Sequence, residues 1–302
     1  MRAVVTGGAG FIGSNVVDAL VERGDEVHVL DDLSKGNRDN LPDAAELHVA
    51  DIRSPDEVFD AVRPELVVHL AAQADVRVSV DRPDFDADIN VVGTVRILEA
   101  SRRHDAKIVF SSTGGAIYGE CTGPAPETSP RQPLAPYGTS KLCGEEYLAT
   151  WNRLYRTGHV SLRFGNVYGP RQEPHGEAGV VAIFMGLLRA DAAPTIYGEG
   201  RQTRDYVFIG DVVRAVLAAS AYQDGGVFNV GTARETSVLA LYEAIQRAAG
   251  IEREPQFAEA RLGELQRSVL DIALAERELG WRPERSLDEG LADTWRWIEG
   301  EG

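Results

Sequence analysis

Tyr137 and Lys141 lie in the stretch Ala135-Pro136-Tyr137-Gly138-Thr139-Ser140-Lys141, and their spacing could support proton transfer. Pro136 suits the first turn of a helix, where its missing N–H costs nothing. A helix beginning there sets Tyr137 and Lys141 one turn apart on one face. A phenol ordinarily loses its proton near pH ~10 and is a poor base at neutrality. An adjacent ammonium favours the phenolate and lowers that value. Bringing it to about 7 requires roughly 3 units, or about 4 kcal/mol of preferential stabilisation of the anion. One lysine near solvent supplies only part of that, so a second positive charge is expected close by. A Tyr and a Lys at this spacing are more often a solvated helix face, so the surrounding chain has to decide.

The first half of the chain alternates short apolar runs with helical patterns. Ala3–Thr6 reads as a buried strand, followed by a helix from Phe11 to about Arg23, broken at Gly24-Asp25. Val27–Leu30, Leu47–Ala50, Leu66–Leu70 and Lys107–Ser111 read as further strands. Between them fall a short helix over Asp56–Val62 and a longer one over roughly Asp86–His104. Strands apolar on both faces and separated by helices argue for a parallel sheet covered on both sides. After the Tyr137 helix, Val160–Phe164 looks like a sixth strand, and Gly165–His175, rich in Gly, Pro and Asn, like a loop. Helices are expected near Gly179–Leu188 and Asp211–Ala221, with one more sheet strand at Val227–Val230. Two helical segments, near Ala275–Leu279 and Leu287–Ile298, close the chain. The fold expected is α/β, with the second half forming a cap on the sheet.

Gly7-Gly8-Ala9-Gly10-Phe11-Ile12-Gly13 sits between a strand and a helix, the context a dinucleotide fingerprint requires. Gly7, Gly10 and Gly13 let the backbone turn tightly and bring a diphosphate to the unpaired N–H groups of the helix start. Asp31 ends the second strand, 18 residues beyond Gly13. A carboxylate there accepts both ribose hydroxyls and repels a 2′-phosphate, which favours NAD over NADP. Asp32 either joins it or caps the next turn.

Composition narrows the classes. The 302 residues are 43% hydrophobic and 26% charged, an ordinary globular balance with enough chain for a sizeable core. A net charge of −16 argues against a general binder of nucleic acid or anionic membranes. No apolar stretch approaches the ~20 residues needed to span a bilayer, and the chain starts directly with a strand-like run, so a cytoplasmic protein is expected. Cys121 and Cys143 are too few for a disulfide framework and read as reduced thiols. His28, His48, His69, His104, His159 and His175 show no paired ligand spacing, and no metal is expected.

Taken together, the chain resembles the extended short-chain dehydrogenase/reductase family, in particular the nucleotide-sugar 4-epimerases of the UDP-glucose 4-epimerase type. The resemblance spans essentially the whole sequence. It rests on the glycine run, Asp51-Ile52, His69-Leu70-Ala71-Ala72-Gln73, Asn90-Val91-Val92-Gly93-Thr94, Ser111-Ser112-Thr113 and Tyr137-x-x-x-Lys141. It continues through Asn166–Gln172, Gln202–Val207, Asn229–Thr232, Arg261-Leu262-Gly263-Glu264 and Leu279–Pro283. It implies a Rossmann-type doubly wound parallel sheet with a smaller C-terminal substrate-binding domain. Residues 1–165 would bind NAD, with 206–232 returning to that domain, and 166–302 would mainly bind a nucleotide sugar.

The same resemblance implies residue roles. Phe11 and Ile12 belong to the fingerprint, Asp51 and Ile52 line the adenine pocket, and Leu70, Ala71, Ala72 and Gln73 run beside the cofactor. Thr113 is the hydroxyl partner of Tyr137, and Lys141 also holds the nicotinamide ribose. The missing positive charge is then the oxidised nicotinamide itself. Asn166, Val181, Tyr197, Arg204, Arg261 and Ser268 are expected at the substrate, and Glu264 at the uridine ribose. Trp281 and Pro283 read as packing. A homodimer through the helices near 86–104 and 137–157 is also implied.

The reaction implied removes the sugar 4-hydroxyl proton and the C4 hydride, turns the 4-keto sugar, and returns hydride to the opposite face. The family's 4,6-dehydratases carry Asp and Glu after the catalytic Thr. Here those positions are Gly114 and Gly115, which cannot move protons. Thr113 stands where many epimerases have Ser, so a hydroxyl is retained. Ser268 falls where strict glucose/galactose enzymes carry an aromatic, which keeps UDP-N-acetylglucosamine open as a substrate. Glu173, where some UDP-glucuronate enzymes have Arg, weakens that third substrate. The reading from another class is a non-catalytic NAD-dependent sensor, against which intact Thr113, Tyr137 and Lys141 argue.

Overall fold

The computed structural model describes residues 1–174, 179–261 and 265–300. Glu264 therefore lies outside the described residues. Seven strands form one parallel sheet: β1 (Arg2–Thr6), β2 (Glu26–Asp31), β3 (Ala45–Val49), β4 (Leu66–His69), β5 (Lys107–Thr113), β6 (Val160–Phe164) and a seventh, Gly226–Val230. Their spatial order is Gly226–Val230, β6, β5, β4, β1, β2, β3, so the direction of winding reverses between β1 and β4. Every described residue pairing in this sheet is parallel. Crevices at the carboxyl ends of strands flanking such a reversal are where open α/β sheets hold ligands.

The strands read as continuous apolar runs because both faces are covered. Ala3, Val4 and Val5 are wholly buried, and their side chains alternate between two cores. On one face Val16, Val17 and Leu20 of the Phe11–Glu22 helix pack with Val212, Val213 and Val216 of the Ile209–Ala221 helix. On the other, Phe59, Ile97, Leu98 and Leu148 pack beneath Val4, Val67 and Ile108. A third core, around Tyr168, Phe184, Met185, Tyr206, Leu241, Tyr242 and Trp295, lies in the C-terminal half.

Several elements depart from the sequence expectation, three of them over longer or site-adjoining segments. The segment expected as a loop from Gly165 contains a strand, Asn166–Tyr168, paired in parallel with Tyr206–Phe208. A helix absent from the expectation, Val238–Ala249, buries Leu241, Tyr242, Ala244 and Ile245 and is capped by the Ser237 hydroxyl. The long helix expected over Asp86–His104 is a composite of Pro83–Ala87, a π-helical turn over Asp88–Gly93, and Thr94–Arg103. Gly93 there presses on Ile52, whose Cδ1 would be 2.7 Å from any Cβ added at that position. Wide helical turns of this kind gather at functional sites. No described helix is long and apolar enough to cross a membrane.

Candidate active site

The glycine turn is a set of backbone contacts that side chains would forbid. Gly7 has φ +69°, and a Cβ there would lie 2.7 Å from the Ala71 nitrogen. A Cβ on Gly13 would lie 2.0 Å from the Gly7 carbonyl oxygen. The Phe11–Glu22 helix starts at Gly10 with no side-chain cap. Its first N–H groups thus lack intrahelical partners and offer an anion site at the cavity wall, which Phe11 and Ile12 line. The cradle fits a dinucleotide diphosphate.

Asp31 closes this end. Its carboxylate accepts N–H groups from Ala9 at 3.0 Å and Leu33 at 2.9 Å. Burial raises its pKa, and the two N–H donors oppose that. Two accepted bonds leave lone pairs for further hydroxyls. Asp32 instead accepts the N–H and hydroxyl of Ser34, so its side chain caps the following turn. Asp51 is gripped by Arg53, which lowers its pKa through their hydrogen bonds, and Arg53 also reaches Asp88. Ile52 is buried. Leu70 and Ala72 line the cavity, while the Ala71 N–H donates to Thr6 Oγ1 at 3.2 Å. The Gln73 amide turns elsewhere, to the Asp75 carbonyl and Asp86.

A cavity of about 320 Å³ brings Thr113, Tyr137 and Lys141 together with Asn166, Val181 and Tyr206. The Pro136–Tyr155 helix begins at Pro136, which places Tyr137 and Lys141 on one face. Lys141 is buried, and its Nζ donates to the Ser111 carbonyl at 2.9 Å. That ammonium lies 4.9 Å from the Phe110 ring centroid. Burial lowers the Lys141 pKa to about 8, with Asp86 opposing, so the group is mainly an ammonium at neutral pH. Burial pushes the Tyr137 phenol up to about 12, and the Asp86 carboxylate adds to the rise. Among protein groups alone, burial therefore outweighs the lysine, contrary to the direction expected from the spacing.

Asp86 is a site residue that the sequence reading missed. Fully buried, its Oδ1 accepts from Asn90 Nδ2 at 2.9 Å and Gln73 Nε2 at 3.1 Å, and its Oδ2 from Ser140 Oγ at 2.6 Å. Its four-residue spacing to Asn90 was the available signal. A second missed group stands behind the cavity. Glu145, one turn beyond Lys141, pairs bidentately with Arg163 at 2.8 and 2.6 Å, and both side chains are 2% exposed. Arg163 also donates to the Tyr118 hydroxyl, which donates to Asn229 Oδ1. Ser112 Oγ of β5 donates to Glu145 Oε1 at 2.5 Å, so the network joins β5, β6 and the Pro136–Tyr155 helix.

The substrate-side residues divide. Asn166 and Val181 line the cavity. The Arg261 guanidinium stacks 3.9 Å from the Tyr197 ring centroid, so these two expected residues meet. Arg204 Nη1 donates to the Thr203 and Leu265 carbonyls at 2.8 Å each, which braces the chain just before Ser268. Ser268 is 3% exposed. A side chain at Gly114 would collide with Leu270, 2.6 Å away, whereas Gly115 has only Asn166 Oδ1 at 3.6 Å. Asp205, next to Arg204, accepts from Thr232, Ala233 and Leu270, which makes these late motifs mainly architecture.

The model of the NAD dependent epimerase/dehydratase family matches residues 3–231. A UDP-glucose 4-epimerase of Mycolicibacterium smegmatis is 48% identical over 306 residues, covering 97% of each chain. The crystal structure of a Thermotoga maritima UDP-glucose 4-epimerase with UDP-glucose superposes with a TM-score of 0.97 at 45% identity, over 99% of each chain. A Thermus thermophilus UDP-glucose 4-epimerase in complex with NAD gives 0.93 at 43% identity over the full length of both.

Proposed function

The chain belongs to the NAD-dependent epimerase/dehydratase family, and from that premise we propose that it interconverts the C4 epimers of a UDP-hexose, UDP-glucose and UDP-galactose first. It is an isomerase, and its cofactor is NAD. The observation that carries the reading is one cavity holding Thr113, Tyr137 and Lys141 against the glycine turn, while Leu270 fills the space of any side chain at 114. Gly114 and Gly115 supply neither acid nor base for an elimination.

When bound, NAD supplies a cationic ring that takes the C4 hydrogen of the sugar as hydride and afterwards returns it. The residues proposed to hold it are Gly7, Gly10, Phe11, Ile12 and Gly13 at the diphosphate, Asp31 at the ribose, and Asp51 and Ile52 at the adenine. Leu70, Ala71 and Ala72 form the adjoining wall. Asp32 and Gln73 act on their own loops, since each has its side chain engaged there. Tyr137 takes the 4-hydroxyl proton and returns it to the same oxygen after the keto sugar has turned, with the Thr113 hydroxyl as its partner. Lys141, anchored on the Ser111 carbonyl, keeps positive charge in the wall. Asn166, Val181, Tyr197, Arg204, Arg261, Glu264 and Ser268 are assigned to the UDP-sugar.

The lobes proposed are residues 1–165 with 206–232 for NAD, and the remainder of 166–302 for the sugar nucleotide. A cytoplasmic homodimer is part of the same reading. Exposed Val92, Tyr147 and Leu154 on the helices expected to pair support the dimer. The small buried Ser268 favours UDP-N-acetylglucosamine as a second substrate. NAD-loaded protein incubated with UDP-galactose is expected to form UDP-glucose. No conversion of any UDP-sugar in a panel with N-acetylglucosamine and glucuronate forms would overturn the proposal. Tyr137→Phe should abolish turnover while NAD stays bound.

A further inference from the structure

Three metal-ligating side chains converge on the outer edge of the sheet, and none of them lines the catalytic cavity. The parallel register sets His28 of β2 opposite Glu46 of β3, with His48 two residues further along the same face. His28 Nδ1 lies 3.0 Å from His48 Nε2 and 3.5 Å from Glu46 Oε2. His48 Nε2 lies 3.8 Å from Glu46 Oε1. On its other side, His28 Nε2 is 3.2 Å from Glu26 Oε1.

With both imidazoles neutral, the proton count leaves this cluster short. A neutral His28 that donates Nε2–H to Glu26 presents a bare lone pair at Nδ1. One N–H from His48 can cover that lone pair, but the Glu46 carboxylate then faces it with no proton between them. A divalent cation at the centre satisfies all three lone pairs together. Zinc bonds of about 2.0–2.1 Å at tetrahedral angles put donor atoms about 3.3–3.4 Å apart. The observed separations of 3.0, 3.5 and 3.8 Å straddle that spacing. A carboxylate on the far nitrogen of a ligating histidine, as Glu26 provides, fixes the tautomer and orients the ring.

We propose that His28 Nδ1, His48 Nε2 and the Glu46 carboxylate form a binding site for Zn²⁺ or a similar imidazole-preferring divalent ion. Glu26 orients His28, and water takes the fourth position. The His28 side chain is 9% exposed and that of Glu46 66%, so the ion enters from solvent past the carboxylate. Occupancy would pin the edge strand β3 to β2 below the point where the Ala50 N–H meets the Asp31 carbonyl at 3.2 Å. This inference does not depend on the proposed reaction.

The test is calorimetric titration of ZnCl₂ into tag-free, chelator-treated full-length protein, repeated with His48→Gln and Glu46→Gln. Glu46 is exposed, so its variant keeps the fold even if the histidine variant does not. One equivalent is expected to bind the native chain, with at least about tenfold weaker binding in each variant. Cobalt loading should give the intense visible absorption of a four-coordinate ion, lost with His48→Gln. No saturable binding would overturn the proposal. So would binding or a cobalt spectrum unchanged in the variants, which would place the ion elsewhere.

Discussion

Replacing Asp86 by Asn tests how the fold tunes Tyr137 and Lys141. Asp86 Oδ1 accepts from two amides and Oδ2 from the Ser140 hydroxyl. Asparagine keeps one oxygen for both amides and turns its NH₂ to Ser140 Oγ, which can accept. Shape and hydrogen bonds are preserved, and one buried negative charge is removed. At an effective dielectric near 20, a buried unit charge close enough to act on both groups is worth roughly 1–3 kcal/mol, or about 1–2 pKa units. Asp86 raises both the Tyr137 and the Lys141 pKa, so both values fall in the variant. The acid limb of kcat/KM, where Tyr137 must ionise, should move down by about 1–2 units. Lys141, already held at about 8, should become neutral near pH 7, which pulls the alkaline limb down as well. The assay is the initial rate of UDP-galactose conversion across pH by NAD-loaded enzyme, with melting temperature as the fold control. A profile that stays in place, or moves to higher pH, in a well-folded variant refutes the reasoning.

Acid should destabilise the fold through two buried histidines. Burial holds His69 at about 3 and His159 at about 4, against 6.5 when unfolded. The unfolded chain therefore binds protons that the native one refuses. The native advantage is complete above about 6.5 and is lost as pH falls toward those folded values. From pH 7 to 5 the two together should cost roughly 3–4 kcal/mol, read as a lower urea midpoint; an unchanged midpoint contradicts this. Gly13→Ala drives a Cβ to within 2.0 Å of the Gly7 oxygen, so purified protein should lose its NAD, measured after denaturation; full retention would sink the assigned cradle. Glu145→Ala strands the buried Arg163 charge and should lower unfolding free energy by about 3–5 kcal/mol; a loss below 1 kcal/mol would mean water reaches Arg163.

The central sheet was legible because each strand carries its own evidence. Val4, Val67 and Ile108 face one core and Val5, Val68 and Val109 the other, so burial on both faces writes an unbroken apolar run. The C-terminal half was less legible. Asn166–Tyr168 is three residues long, too short for a period, and its partner lies at Tyr206–Phe208. Val238–Ala249 was readable and was missed: a Ser cap precedes an apolar stripe through Leu241, Tyr242, Ala244 and Ile245. The π-helical turn before Thr94 had no local signal, and it ends where Gly93 seats against Ile52, a contact between distant segments.

The same division runs through the candidate site. Tyr137 and Lys141 share one helix, and the glycines share one turn, so spacing alone brings each set together. Asp86 reaches Ser140, Glu145 reaches Arg163, and His28 reaches His48 only across elements, and each of these pairs escaped the sequence. Spacing also could not supply the sign of the protein's effect on Tyr137. A helix turn fixes that lysine and phenol are neighbours, but their depth decides which proton each keeps. Burial penalises the phenolate and the ammonium alike, and one carboxylate beneath both raises both pKa values. The protein thus holds Tyr137 as an acid until a further positive charge arrives. In the proposed reaction, base strength is then tied to occupancy of the cofactor cradle, and the pH profile of the loaded enzyme is expected to lie apart from the Tyr137 titration in the chain without cofactor.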